Sequence, residues 1–288
     1  MKIQLVNPTS KILHLYFLLI LNIKIRLKKT IILTGAASGI GQALLRQLAQ
    51  VTSTIIAVDI NSEDLEVACD ALKASPAYIV PFTSNMIQAE DIDRLFEFAL
   101  TEFGAVDIFI ANAGFAYYER LDSPNWQHIE QIYQLNTIAP IYSATKMAHI
   151  NQGRSYKVVI TASAMAHWAL PGYALYSSTK SALDSFATAY RSQLSDPSTL
   201  MLVYPIATRT NFFERAGKNT NTAAPTPFPS QTADYVATQI IKGIETDQQS
   251  LYPSIIFRVV KFLNRFLPIQ CLNRQMEQRS FEAWLSKQ

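Results

Sequence analysis

The chain has 288 residues, of which 49% are hydrophobic and 16% charged. That is enough apolar material for one large α/β domain, and it excludes a globally disordered chain. A formal charge of +3 is too small to argue for nucleic acid as a partner, and Cys69 and Cys271 have neither a metal-ligand nor a redox spacing, so no metal site is expected and a reducing compartment fits.

Residues 1–29 differ in character from the rest of the chain. Ile12 to Ile23 is apolar except at His14 and Asn22, with Lys11 before it and Lys24, Arg26, Lys28 and Lys29 after it. Twelve helical residues span about 18 Å, short of the roughly 30 Å of a bilayer core. No small-residue cleavage site marks a signal peptide. Three readings stand: an interfacial or anchoring helix with its basic cluster on the cytoplasmic side, a buried helix, or upstream sequence absent from the mature protein.

From Thr30 the pattern alternates strand and helix. Thr30–Leu33 reads as a buried strand, followed by Thr34, Gly35, Ser38, Gly39, Ile40 and Gly41 in a glycine-rich turn, then an amphipathic helix over Gln42–Gln50. Strand, glycine turn and helix N-terminus together suit a dinucleotide pyrophosphate. Thr54–Val58 is the second strand and ends in Asp59, an acceptor for ribose hydroxyls that would repel a 2′-phosphate. No Arg or Lys stands at Ser38 or Ile60, which favours NAD over NADP. Tyr78–Phe82 leads into Asn85 and Met86. A helix over Glu90–Phe103 precedes the strand Val106–Ile110 and then Asn112, Ala113 and Gly114. The expected fold is a single Rossmann-like, doubly wound parallel sheet with helices on both faces.

A long helix from Trp126 to about Ile150 carries Asn136. The strand Val158–Ala162 ends at Ser163. Tyr176 and Lys180 follow four residues apart, one above the other on a helical face. An ordinary tyrosine ionises near pH 10 and is a poor acid or base at neutrality. A neighbouring ammonium is expected to lower that value; reaching ~7 requires roughly 4 kcal/mol of differential stabilisation, which a partly desolvated lysine together with a cationic cofactor ring would supply. Alone, such a pair is equally well a solvated helix face, Ser163 a turn serine and Asn136 a buried amide bonded to backbone. The strand Leu200–Tyr204 precedes Pro205, Thr208 and Thr210.

Taken together, Thr34-Gly35-x-x-x-Gly39-Ile40-Gly41, Asn112-Ala113-Gly114, Asn136, Ser163, Tyr176-x-x-x-Lys180 and the Pro205–Thr210 segment resemble the short-chain dehydrogenase/reductase family, from Thr30 to about Tyr252. The resemblance implies Tyr176 as general acid or base, Lys180 lowering its pKa and holding the nicotinamide ribose, Ser163 on the substrate oxygen, and Asn136 holding a water beside Lys180. It also implies a small-molecule carbonyl or alcohol substrate, an NAD(P) cofactor held along the motif residues, and a homodimer or homotetramer built through the long helices. Two positions depart from the pattern: Ile206 replaces a glycine after Pro205, and Asn85-Met86 stands where Asp-Val is common. Ile206 is the local feature that favours the alternative, a non-catalytic dinucleotide-binding sensor on the same fold.

His167 and Trp168 flank the substrate side, with His167 a candidate polar contact. Phe115, Tyr117 and Tyr118 either line the pocket or pack in the core. Asn211–Ser230 reads as a lid, and its aromatics suggest an apolar or lipid-like substrate. Ile255–Leu267 reads as a basic amphipathic helix, with Arg258, Lys261 and Arg265 on one face and Ile256, Val259, Val260, Phe262, Leu263 and Phe266 on the other. Its apolar face suits a membrane surface, the domain itself or a subunit partner. The chain thus divides into an extension (1–29), a dinucleotide-binding domain (30–252) and C-terminal helices (253–288), in a cytoplasmic protein with peripheral membrane association left open.

Overall fold

The computed structural model describes residues 29–195, 197–217, 224–264, 266 and 269–286. The extension expected over 1–29 lies outside these except for its last residue. Seven strands form one parallel sheet: β1 (Thr30–Thr34), β2 (Thr54–Asp59), β3 (Tyr78–Thr83), β4 (Ile108–Ala111), β5 (Lys157–Thr161), β6 (Thr199–Val203) and, after a small pair β7 (Thr208–Arg209) and β8 (Gln231–Thr232), β9 (Ser250–Leu251). Their order is β3-β2-β1-β4-β5-β6-β9. The register runs Thr30 opposite Thr54, Ile31 opposite Ile108, and Ile108 opposite Lys157. The order reverses between β1 and β4, which opens a crevice at the carboxyl ends of these strands.

Each strand sends alternate side chains to opposite faces, so both faces need apolar residues and both need helices over them. Ile31 and Leu33 pack with Leu44 and Leu45 of α1 (Gly39–Leu48) and with Val236 and Ile240 of α8 (Ala233–Glu245). Ile32, Ile56 and Val58 pack on the other face with Leu95 and Phe96 of α3 (Ala89–Phe103), Met147 of α5 (Ala139–Ile150) and Leu183 of α6 (Ala174–Tyr190). The short α2 (Ser62–Asp70) is capped by Asn61, whose side chain accepts from Asp64 N. Each fully buried Leu, Ile or Phe contributes about 1.5–3 kcal/mol, so these two layers dominate the stability. A third apolar cluster sits over the carboxyl edge of the sheet. It joins Tyr118, Tyr173, Phe213 of α7 (Phe212–Ala216), and Phe281 and Trp284 of α10 (Ile269–Leu285).

The structure redraws three expected helices. The helix read from Gln42 begins at Gly39, because Ser38 occupies the extended N-cap position and the glycine turn itself becomes the first helical turn. The helix read as continuous from Trp126 to Ile150 is divided into α4 (Trp126–Tyr133), a π-helical turn over Gln134–Ile138, and α5. Pro140 has no N–H to offer the carbonyl four residues back, at Asn136, so the α-register fails just ahead of it. The C-terminal amphipathic helix is α9 (Ile255–Leu263), shorter than the reading to Leu267; positions 265 and 267 lie outside the described residues. Among the described residues no helix is long and apolar enough to cross a membrane.

Two glycines of the first turn are sterically required. A Cβ on Gly41 would stand 1.8 Å from the carbonyl oxygen of Gly35. Gly35 has φ +69° and would bring a Cβ within 2.9 Å of Ala113 Cα. The β1 turn and the β4 turn therefore touch backbone to backbone. Gly41→Ala is expected to cost about 3 kcal/mol or more of stability, the upper end of overpacking effects, because the obstructing atom is main chain and cannot rotate away. A urea denaturation midpoint measured against the parent chain checks this.

Candidate active site

A cavity of about 650 Å³ opens along the carboxyl ends of β1, β2, β4 and β5. Gly35, Ser38, Gly39, Ile40, Asp59, Asn85, Met86, Asn112, Ala113, Gly114, Ser163, Tyr176, Lys180, Pro205, Thr208 and Thr210 all reach its wall. Three residues expected at the site do not: Thr34, Gly41 and Asn136 stand behind the lining. Their hydrogen bonds show why. Thr34 Oγ1 donates to Ile110 O (3.3 Å) and accepts from the amides of Asn112 (3.0 Å) and Ala113 (3.1 Å), so it fastens the glycine turn to the end of β4. Asn112 Nδ2 reinforces that joint by donating to Thr34 O at 3.2 Å.

Asp59 closes the other end of the turn. Its Oδ2 accepts from Ala37 N (3.0 Å) and its Oδ1 from Asn61 N (3.1 Å), which fixes the carboxylate at the rim beside Ile60. Asn85 uses its side-chain oxygen on Ile87 N (3.3 Å) and donates its own amide to Asp91 (3.0 Å). Thr210 Oγ1 accepts from Phe212 N at 3.2 Å, and its methyl lies 3.2 Å from where a Cβ on Gly39 would sit. The 205–210 segment thus closes directly over the glycine turn. Its Ile206 adopts no left-handed backbone; among the described non-glycine residues only Asp247 has positive φ.

Ser163, Tyr176 and Lys180 meet where β5 ends and α6 begins. Ser163 caps a single 3₁₀ turn, its Oγ accepting from Met165 N at 3.1 Å, and it stands near enough to the Tyr176 phenol to favour its ionised form. Lys180 is 4% exposed and donates from Nζ to Thr161 O at 2.9 Å. Its ammonium lies 5.7 Å from the centre of the Tyr176 ring. Burial drives both groups toward their neutral forms. It pushes the Tyr176 phenol up to about 12, against a smaller lowering by Ser163, and brings the Lys180 amine down to about 7. The expected lowering of the tyrosine, by the lysine together with a cationic cofactor ring, is not expressed in the protein alone. Within the protein alone, desolvation outweighs any attraction between the two.

Asn136 is fully buried in the π-helical turn. Its Nδ2 donates to Phe115 O (2.8 Å) and Thr179 Oγ1 (3.3 Å), and its Oδ1 accepts from Phe115 N (3.1 Å). Both donors and one lone pair are thereby committed, leaving one acceptor position beside Lys180. Asn136 braces Gly114 and Phe115 against α6, and this is the role its contacts show.

The substrate side is apolar. Phe115, Leu135, Met165, Trp168, Leu170, Phe212 and Phe213 line it. Tyr117 and Tyr118 do not: Tyr117 stacks on His128 at 4.2 Å, and Tyr118 packs against Phe281 and Trp284. His167, the candidate polar contact, also lies off the cavity. Its Nε2 bonds Tyr252 OH at 3.0 Å and its ring stacks on Tyr204. Of the segment read as a lid, Asn211–Phe213, Arg215 and Pro227–Pro229 line the cavity, while 218–223 lie outside the described residues. The C-terminal helices supply wall residues that the sequence pattern did not single out: Ile256, Phe257 and Val260 of α9 and Glu277 of α10. Amphipathic periodicity in α9 was the one signal for them. Burial raises the Glu277 carboxyl.

These groups fit a dinucleotide. A turn whose glycines admit no side chain, a ten-residue helix starting at that turn and a backbone-held carboxylate at the end of β2 all border one cavity. Gly35, Ser38, Gly39 and Ile40 would hold the pyrophosphate, Asp59 the adenosine ribose, and Tyr176 and Lys180 the nicotinamide end.

The Lys180 shift has a measurable sign. The folded value is about 7 against an ordinary 10.5, so between these the unfolded chain binds more protons. The Lys180 contribution to the stability of the protein without added nucleotide is therefore expected to rise as the pH climbs from about 7 toward about 9, above which the raised Cys69 thiol acts in the opposite sense. Lys180→Met is expected to flatten that slope in urea midpoints measured across the window.

The family model described as short chain dehydrogenase matches residues 29–221. Epidermal retinol dehydrogenase 2 of Homo sapiens is 29% identical over 250 residues, covering 83% of this chain and 78% of that protein. A short-chain dehydrogenase from Sphingobium yanoikuyae in complex with NADPH superposes with a TM-score of 0.71 at 23% identity, covering 79% of this chain and 88% of that one. A short chain dehydrogenase/reductase from Burkholderia phymatum in complex with NAD reaches 0.74 at 20% identity, covering 83% and 93%. With its cavity, its Ser163, Tyr176 and Lys180 cluster and a family match over residues 29–221, the chain belongs to the short-chain dehydrogenase family.

Proposed function

We propose that this chain is an NAD(H)-dependent oxidoreductase that interconverts a carbonyl and an alcohol on a substrate with a large apolar body. The observation that carries the reading is the placement of Ser163, Tyr176 and Lys180 together on the wall of a cavity whose other lining is mostly aromatic and aliphatic. The nicotinamide, when bound, supplies or accepts the hydride. Tyr176 then delivers or receives the proton at the substrate oxygen. A phenol held near 12 is fully protonated at neutral pH, which suits proton donation in the reducing direction. Ser163 polarises the same oxygen with a hydroxyl whose position is fixed by Met165 N. Lys180 is held to Thr161 and Asn136 holds the Gly114–Phe115 backbone, so both position the Tyr176 end of the cavity.

Asp59 supports NAD over NADP. Around it the wall offers Ser38 and Ile60, and the cationic lining residues among those described are Lys180 and Arg215, on the catalytic and substrate sides. A 2′-phosphate there would meet a carboxylate and no cation. The human relative is named for retinol, and the aromatic wall supports a similarly apolar substrate. Ile206 has no left-handed backbone, which supports the catalytic reading over a non-catalytic sensor. Exposed Trp126, Ile129 and Ile138 on the α4–α5 unit support a homodimer or homotetramer built through the long helices. Peripheral association with the cytoplasmic side of a membrane belongs to the same reading, supported by the basic and apolar residues of 1–29.

Nicotinamide absorbance followed on a panel of apolar ketones, aldehydes and alcohols tests this, with NADH and NADPH in parallel. Turnover is expected with NADH, and Tyr176→Phe is expected to lower kcat by about 10²–10⁴ while leaving nucleotide affinity within a few-fold. Asp59→Ser is expected to raise kcat/KM for NADPH relative to NADH. Better use of NADPH by the parent chain would refute the Asp59 argument alone; full activity in Tyr176→Phe would refute the mechanism.

A further inference from the structure

Helix α9 is oriented against the usual logic of an amphipathic helix. Its polar edge is tied to the domain: Lys261 donates to Tyr252 OH at 2.7 Å and lies over the rings of Tyr252 and Tyr204. Ser254 caps the helix through Phe257 N at 3.1 Å, and Phe257 is the side chain that it buries. The opposite side holds Ile255, Ile256, Val259, Phe262 and Leu263, all exposed, and Phe266 just beyond the helix is exposed with them. At about 100° per residue these six fall within an arc of about 120°. The apolar face expected to pack inward or onto a partner therefore points away from the domain.

Two observations say what covers it. The first is continuity with the cavity. Ile256 is both an exposed member of this face and a wall residue of the cavity, and Phe257 and Val260 line the cavity from the same helix. Phe228, between Pro227 and Pro229, is 90% exposed and lies on the same lining. The mouth of the site is thus rimmed by large apolar side chains facing outward. The second is charge. Arg258 borders the arc, Lys261 stands on the side turned toward the domain, and no acidic residue occurs between Asp247 and Glu277. A second copy docked through a two-fold axis at α9 would bring the Arg258 side chains of the two copies toward each other. Hydrocarbon beneath anionic headgroups satisfies both the apolar arc and its basic flank.

We propose that the α9 face, with Phe228, is a docking surface for an anionic lipid bilayer, and that it sets the mouth of the cavity at the lipid–water boundary. This deepens the reading of an apolar substrate by giving that substrate a direct path from the bilayer.

The test uses the full chain and Val259→Glu/Phe262→Glu, two exposed positions outside the cavity lining, so folding and the site are left intact. Co-sedimentation is measured with phosphatidylserine–phosphatidylcholine vesicles and with phosphatidylcholine alone. The parent chain is expected to partition at least about tenfold better onto the anionic vesicles, and the double variant to lose at least about tenfold of that binding. Turnover of a long-chain ketone dissolved in the vesicles is expected to fall with it, while turnover of a water-soluble ketone stays unchanged. Unaltered vesicle binding by the variant would overturn the proposal. So would a change from dimer to monomer in light scattering with vesicle binding retained, because the face would then belong to a second copy. The sedimentation result needs no turnover, so it stands apart from whether the oxidoreductase reading holds.

Discussion

A lysine amine almost wholly removed from water, donating to the Thr161 carbonyl, is the constraint on which the site depends. An ammonium in that position suffers a desolvation cost that one carbonyl cannot return in full, and its pKa falls accordingly. Everything around Lys180 is arranged to keep it there. β5 ends so that Thr161 presents its carbonyl, α6 sets Lys180 one turn beyond Tyr176, and Asn136 clamps the Gly114–Phe115 backbone next to the amine. The same burial raises Tyr176, so one cause shifts both groups toward neutrality. Their chemistry then responds to any charge brought beside them. A cation next to the phenol favours its ionised form, whereas an uncharged neighbour leaves it a proton donor. The two directions of a carbonyl–alcohol interconversion need these two states of the same oxygen.

The scaffold gives this arrangement its rigidity. The turns after β1 and β4 are in close backbone contact at Gly35 and Ala113 and are cross-bonded through Thr34 and Asn112, which joins the two sides of the crevice floor. Thr34 and Gly41 serve the site from behind its wall: one by spending its hydroxyl inside the protein, the other by having no side chain. Residues of a motif can thus matter without touching a ligand.

Much of this was legible in the sequence because its cause is local. Alternating apolar strands, a glycine turn followed by a helix and a tyrosine four residues before a lysine each specify structure over a few residues. The parallel order and the position of Asp59 follow from them. What the sequence could not show depends on contacts between distant segments. The π-helical turn at Asn136 arises from Pro140, but its consequence is a bond to Phe115, 21 residues earlier. His167 looked available for substrate until Tyr252, 85 residues on, took its ring nitrogen. The direction of the Tyr176 shift depends on how completely Tyr176 and Lys180 are buried, which spacing alone does not report.

The same limit explains α9. Hydrophobic periodicity locates an apolar stripe but carries no sign: it does not say whether the stripe faces the domain or the outside. Here Phe257 and Lys261 mark the side that faces the domain. Lys261 hydrogen-bonds Tyr252 and sits over two aromatic rings, and Tyr252 in turn holds His167 and stacks on Tyr204 of the core. The exposed Lys261 reaches back to these rings, and Phe257 beside it on the same side is buried. A helix has one inward side. With Phe257 and Lys261 on it, Val259, Phe262 and Phe266 face outward, and an apolar surface stands at the mouth of the cavity.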